Sequence, residues 1–180
     1  MTNKEFESWL TKDEDELVNY IVIDITRHVS TLNSSDSNFY GYAILPSDYY
    51  SSANAPTIVT AFNFESDIST ENKKEAYYRY SVDEWANYYH DGFESSNKEL
   101  ELIYKTFIST QSFENYVEAY NEKLNSAYMT SLTRLKENGV FSDDKYLIIW
   151  LSDSRDNIMS QSAKAFNTPE IYKQYASEFE

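Results

Sequence analysis

Six consecutive apolar residues, Tyr146-Leu147-Ile148-Ile149-Trp150-Leu151, constrain the fold of this chain more than any other stretch. Their side chains do not alternate between oil and water, so a strand here must be covered on both faces. The run is also far too short to cross a bilayer. A chain that buries such a strand needs helices packed on a sheet. At 180 residues it is large enough to do so as one domain with a full core. We therefore read 1–180 as a single α+β domain, a small three- or four-stranded sheet packed with helices.

Two more segments read as strands. Phe39-Tyr40-Gly41-Tyr42-Ala43-Ile44-Leu45 is stopped by Pro46, and Thr57-Ile58-Val59-Thr60-Ala61-Phe62-Asn63 is rich in β-branched residues. A Ser-, Tyr- and Ala-rich connection joins them, and antiparallel pairing is expected. Residues 77–80 are expected to add a short third strand.

The rest is helical in pattern. Thr11-Lys12-Asp13-Glu14 reads as a capping box, followed by Leu17, Tyr20, Ile21, Ile25, His28 and Leu32 at helical spacing and a polar stop at 33–38. Ser81-Val82-Asp83-Glu84 reads as a second capping box, predicting a helix from Val82 that carries Trp85, Tyr88 and Tyr89 as far as Asp91-Gly92. Ser96-Asn97-Lys98-Glu99 starts another, with Leu100, Ile103, Tyr104 and Phe107 on one face. The longest helix is predicted over 113–138. Its stripe is Phe113, Tyr116, Val117, Tyr120, Leu124, Ala127, Leu132 and Leu135, and Asn138-Gly139 stops it. Ser152-Asp153-Ser154 turns the chain into a short helix through Phe166, and Thr168-Pro169-Glu170 opens the last one.

Charge sorts the partners. Thirty acids against 15 bases leave a formal net charge of −15, which repels nucleic-acid phosphates and anionic membranes. The same field speeds encounter with a cationic protein. There is no cysteine, so disulfides, thiol nucleophiles and cysteine-rich zinc sites are excluded. Acids stand at the N-terminus where a signal peptide needs bases, and a cytoplasmic protein is expected. No glycine-rich phosphate loop, nucleotide fingerprint or nucleophile elbow occurs, which counts against the common hydrolases and nucleotide-dependent enzymes. No cofactor and no metal are expected.

The candidate binding residues cluster at 76–85. Tyr78, Arg79, Tyr80, Glu84 and Trp85, with Asp153 added from the loop after the apolar strand, form the set. Arg79 is expected to stack on a tyrosine or pair with Glu84, and an arginine flanked by tyrosines resembles an interface hot spot. The competing structural reading places Trp85 and alternate tyrosines in the core and gives Arg79 an edge salt bridge. Asp153 and Asp156 suit a divalent cation by position, but capping by Ser152 and Asp153, with Asp156 in the first helical turn, accounts for them better. His28 and the His90-Asp91 pair lack a nucleophile or a second ligand and read as structural or surface histidines.

Three segments, Phe39-Tyr40-Gly41-Tyr42-Ala43, Tyr78-Arg79-Tyr80-Ser81-Val82-Asp83-Glu84-Trp85 and Tyr146 through Ser154, followed by Ser162-Ala163-Lys164-Ala165-Phe166-Asn167, carry a resemblance. In this order they resemble an uncharacterised bacterial family of domains of unknown function, DUF4303. The Tyr-Arg-Tyr-Ser-x-x-Glu-Trp element is the most specific. Val82 departs from a family pattern that often has Pro there, and valine also fits a first helical turn. The resemblance implies a bacterial cytoplasmic α+β domain, similar in character to the small acidic immunity proteins that neutralise toxins. The leading expectation is a non-enzymatic protein-binding domain that takes a cationic partner, an acidic immunity protein for a basic toxin. The alternative is an enzyme or small-ligand protein using Arg79, Glu84 and Asp153.

Overall fold

A computed structural model describes residues 3–34, 38–47, 54–73, 75–152, 154 and 156–180. Strand β1 (Phe39–Pro46) pairs antiparallel with β2 (Ile58–Phe64), as expected from their composition. Strand β4 (Tyr146–Ile149) runs parallel to β1, and a three-residue edge strand, β3 (Asn87–Tyr89), pairs antiparallel with β2. The sheet order is β3-β2-β1-β4. All four residues of β4 are buried, which explains why its sequence does not alternate. The inter-strand connection at 48–53 and part of the polar stretch after the first long helix, 35–37, lie outside the described residues.

Among the described residues, seven α-helices pack around the sheet: α1 (Asn3–Leu10), α2 (Asp15–Ser34), α3 (Ala76–Tyr80), α4 (Glu94–Ile108), α5 (Val117–Glu137), α6 (Asn157–Phe166) and α7 (Pro169–Phe179). The long helix expected over 113–138 starts only at Val117, because Phe113–Tyr116 form a 3-10 turn, while along α5 the stripe holds, with Tyr120, Leu124, Ala127, Leu132 and Leu135 buried. Thr168 caps α7 as its sequence implies, accepting the Ile171 amide with Pro169 in the first turn. One sheet face meets α2, where His28 Nδ1 lies 2.8 Å from the Tyr42 hydroxyl and the ring stacks on Tyr89 at 3.8 Å. The other face carries Trp85. A Cβ at Gly41 would sit 2.7 Å from the Trp85 ring, so the indole packs on β1 only because position 41 has no side chain.

Two asparagines finish the sheet edges. Asn167 accepts from Leu147 N–H at 2.8 Å and donates to Leu147 O at 2.7 Å, pairing both backbone groups of that β4 residue. Asn97 does the same for Ile58 of β2, at 2.7 and 3.3 Å, beyond the end of β3. Each side-chain amide replaces a missing neighbouring strand. Ser162 Oγ completes the β4 edge by accepting Ile149 N–H.

Several local expectations need correction. Residues 77–80 are not a strand but part of α3, because a helical turn lets Tyr80 reach the core beside Tyr146 while Tyr77 stays outside. The Ser81 capping box does not form. Ser81 instead ends α3, its N–H bonding Tyr77 O, and the next residues make only a 3-10 turn, Val82–Glu84. Tyr88 and Tyr89, expected on that helix, belong to β3. Helix α4 starts at Glu94 rather than at Ser96, whose N–H and Oγ both bond the buried Asp24 of α2. Thr11 does not cap α2, since its hydroxyl turns back to Ser8 O at the end of α1, an element its sequence did not announce.

Candidate functional site

Arg79, the centre of the predicted cluster, is half-buried and committed. Its guanidinium lies over the Tyr40 ring, 4.3 Å from the centroid, and forks onto Glu65 through Nη1 at 3.2 Å and through Nη2. The stacking on a tyrosine is as expected, with Tyr40 as the ring, but the carboxylate is Glu65 rather than Glu84. The Arg79 hydrogen bond holds the Glu65 carboxyl below its usual range. Burial pushes the Tyr40 phenol up to about 12, so it stays a hydrogen-bond donor.

The backbone of Arg79 is used as fully as its side chain. Its carbonyl accepts from the Tyr40 hydroxyl and from the Trp85 indole, both at 3.1 Å. Tyr80 is buried, donating to Gln174 and meeting Tyr146 edge-on at 4.8 Å, and Trp85 is buried against Gly41. These two residues and Arg79 build a rigid frame. Tyr78 is half-buried at its edge, packed on Tyr77 at 5.4 Å.

The exposed part of this junction differs from the predicted set. Tyr77 and Tyr88 are each 40% exposed and, among the described residues, are two of the few large apolar side chains on the surface. The Tyr77 hydroxyl donates to Glu84 at 3.1 Å, and the Tyr88 hydroxyl donates to Val82 O at 2.9 Å. Asp83 lies between these contacts in the chain and accepts the Trp150 indole at 3.1 Å and Ser152 Oγ at 2.6 Å. The hydrogen bond to Glu84 raises the Tyr77 phenol, while burial and then Asp83 and Glu84 raise that of Tyr88. The two hydroxyl bonds tie both tyrosines to the segment that carries Asp83 and Glu84, and the four exposed residues form one patch.

Of the predicted residues, Glu84 belongs to this patch, while Arg79, Tyr80 and Trp85 support it from below. Asp153 lies outside the described residues. Asp156 is not in the first turn of α6 but caps it, accepting the Ile158 amide at 2.9 Å. Among the described residues, no group of three or more acids and histidines is arranged to hold a metal ion. His28 is buried, and burial lowers its imidazole to about 4; His90 is exposed. Arg79 also borders an open polar groove of about 750 Å³ with Glu75, Asp143, Asp144 and Glu170.

Tyr77, Asp83 and Tyr88 escaped the sequence reading. The Tyr77–Glu84 bond joins residues seven apart across two helical pieces, a spacing that no local rule predicts. No helix among the described residues is long and apolar enough to cross a membrane. No curated protein and no solved structure matches the chain. A family model described as a domain of unknown function (DUF4303) matches residues 20–168, from within α2 to the Thr168 cap of α7. That span holds the whole sheet and the aromatic junction, and the chain belongs to the DUF4303 family.

Proposed function

We propose that this chain is a non-enzymatic protein-binding domain whose physiological partner is a cationic protein, and that it acts in the bacterial cytoplasm as an immunity protein against a basic toxin. The observation that carries the reading is the patch of Tyr77, Tyr88, Asp83 and Glu84. Two partly exposed tyrosines are held in place by hydrogen bonds beside two acids, on a chain with a net charge of −15. Aromatic anchors with fixed orientation lose little entropy on binding, and the acids steer a basic partner and fix its register.

The test is affinity capture on the immobilised full chain, followed by kinetics of each captured protein across a salt series. The expected partner is basic, its association slows as salt rises, and Tyr77→Ala with Tyr88→Ala speeds its dissociation. An acidic partner, or an association rate insensitive to salt, overturns the reading.

A second reading, a small-ligand or catalytic site using Arg79, has the open groove beside α3 and α7 in its favour. Against it, Glu84 turns away to Tyr77 and the Arg79 guanidinium is occupied by Glu65. Substrate turnover lost in Arg79→Ala without loss of folding favours this second reading.

A further inference from the structure

Among the described residues, nothing covers the sheet face that carries Trp85 to its end. Along β1 the residues on this face are Gly41, Ala43 and Leu45. Ala43 and its partner Ala61 are fully buried, but Leu45 and its partner Val59 are only half-buried. Beside them, where the parallel strands β1 and β4 reach their carboxyl ends, lies a cleft of about 440 Å³ lined by Leu45, Pro46, Val59, Trp150, Leu151 and Ser152. This volume falls in the ~300–1,000 Å³ range of binding pockets.

Several polar groups around the cleft are already engaged. The Trp150 indole and Ser152 Oγ both donate to Asp83, Ser47 Oγ accepts the Thr57 amide, and Ser154 Oγ accepts the Asp156 amide. Leu45 and Val59 offer apolar surface to the cleft, over a floor of the buried Pro46, Trp150 and Leu151. The two donors on Asp83 place that carboxylate at the rim, and Glu84 follows it. An apolar floor beside an acidic rim is complementary to an apolar side chain flanked by bases.

We infer that this cleft is the anchor pocket of the binding surface: it takes one large apolar or aromatic side chain of the cationic partner, whose neighbouring Lys or Arg residues meet Asp83 and Glu84. The inference rests on the proposed function and adds to it the recognition element, an apolar residue within a basic segment. Interfaces draw most of their affinity from such buried anchors, with charged rims setting rate and specificity.

The probe is the peptide acetyl-Arg-Lys-Phe-Lys-Arg-amide, titrated into the isotope-labelled full chain at low salt and followed by NMR. Expected are shifts of the Trp150 indole signal and of the Leu45 and Val59 methyls, with the Trp9 indole unmoved. Replacing the peptide's Phe by Gly is expected to weaken binding at least ~10-fold, and Asp83→Asn with Glu84→Gln to weaken it several-fold. Val59→Arg is expected to abolish binding. Should that variant not fold, Ser152→Arg, in an exposed turn at the cleft mouth, gives the same test. Equal binding of the Phe and Gly peptides, no binding of the Phe peptide, or binding that leaves Trp150 unmoved overturns the cleft. A cationic partner captured undiminished by both arginine variants also overturns the cleft while leaving the proposed function standing. Failure to capture any cationic partner overturns the function itself.

Discussion

Gly41 and His28 show how much single residues decide on the two faces of this sheet. A methyl group at Gly41 collides with the Trp85 ring, 2.7 Å away, and the ring is pinned by its bond to Arg79 O. Gly41→Ala is therefore expected to destabilise the protein by about 1–3 kcal/mol in urea unfolding. Trp85→Phe, which removes the ring atoms in question, is expected to make the same alanine substitution cheaper. On the opposite face His28 is buried and neutral, its imidazole lowered to about 4 from an unfolded value of 6.5. The unfolded chain then binds the proton first. Stability contributed by the neutral ring is complete above pH 6.5 and is lost as pH falls from there towards about 4. Between pH 7 and pH 5 the loss is expected to be about 1–2 kcal/mol, allowing for solvent screening. His28→Gln is expected to lose less stability than the wild type over the same interval.

At the scale of elements, Asn97 and Asn167 deserve the same test as strands. Asn167→Ala leaves Leu147 N–H and C=O unpaired and removes a further bond to Ala163 O. A loss of about 1–3 kcal/mol is expected, and with it concentration-dependent association through the β4 edge, visible by sedimentation. Neither asparagine announces this role in sequence, since the pairing spans 39 residues in one case and 20 in the other. Elements that carry their own signal were legible: the stripe of α5, the Thr168-Pro169 start of α7, the apolar run of β1 stopped by Pro46, and the β-branched run of β2. Residues 77–89 were not. There the aromatic content that favours a strand lost to packing, because a single helical turn lets Tyr80 and Trp85 enter the core together. Ser81 has the right neighbours for a cap, yet α3 needs it as a terminus. The candidate site followed the same division. Arg79 on a tyrosine was readable as a chemical type, but Tyr40 and Glu65 as its partners depend on the sheet, and the outward turn of Tyr77 and Tyr88 follows from the misread elements.

For the whole molecule, an excess of 15 acids implies self-repulsion in the compact state. Among the described residues, ion pairs such as Lys105–Glu101 and Arg134–Asp15 lie largely at the surface, with Lys123–Glu14 the buried exception. Raising sodium chloride from ~10 mM to ~150 mM shortens the screening length from about 30 to about 8 Å and is expected to raise the unfolding temperature. A net stabilisation by salt, measured by calorimetry without any partner, separates this self-repulsion from the weakening that salt imposes on a charged interface.

Helix α1 adds a last consequence. Phe6 anchors the helix, fully buried against Phe107 and Tyr116. The chain at its carboxyl end is held by the buried Lys123, whose ammonium bonds Trp9 O at 3.0 Å, Lys12 O, and the Glu14 carboxylate at 2.8 Å. The Lys12 carbonyl is also the group that trypsin must polarise in order to cut after Lys12. While α1 is seated, that oxygen is occupied by the ammonium and the scissile bond is shielded. Nicking at Lys12 under native conditions therefore clocks the undocking of α1 rather than global unfolding, and Lys123→Met is expected to quicken it while sites within α5 stay intact.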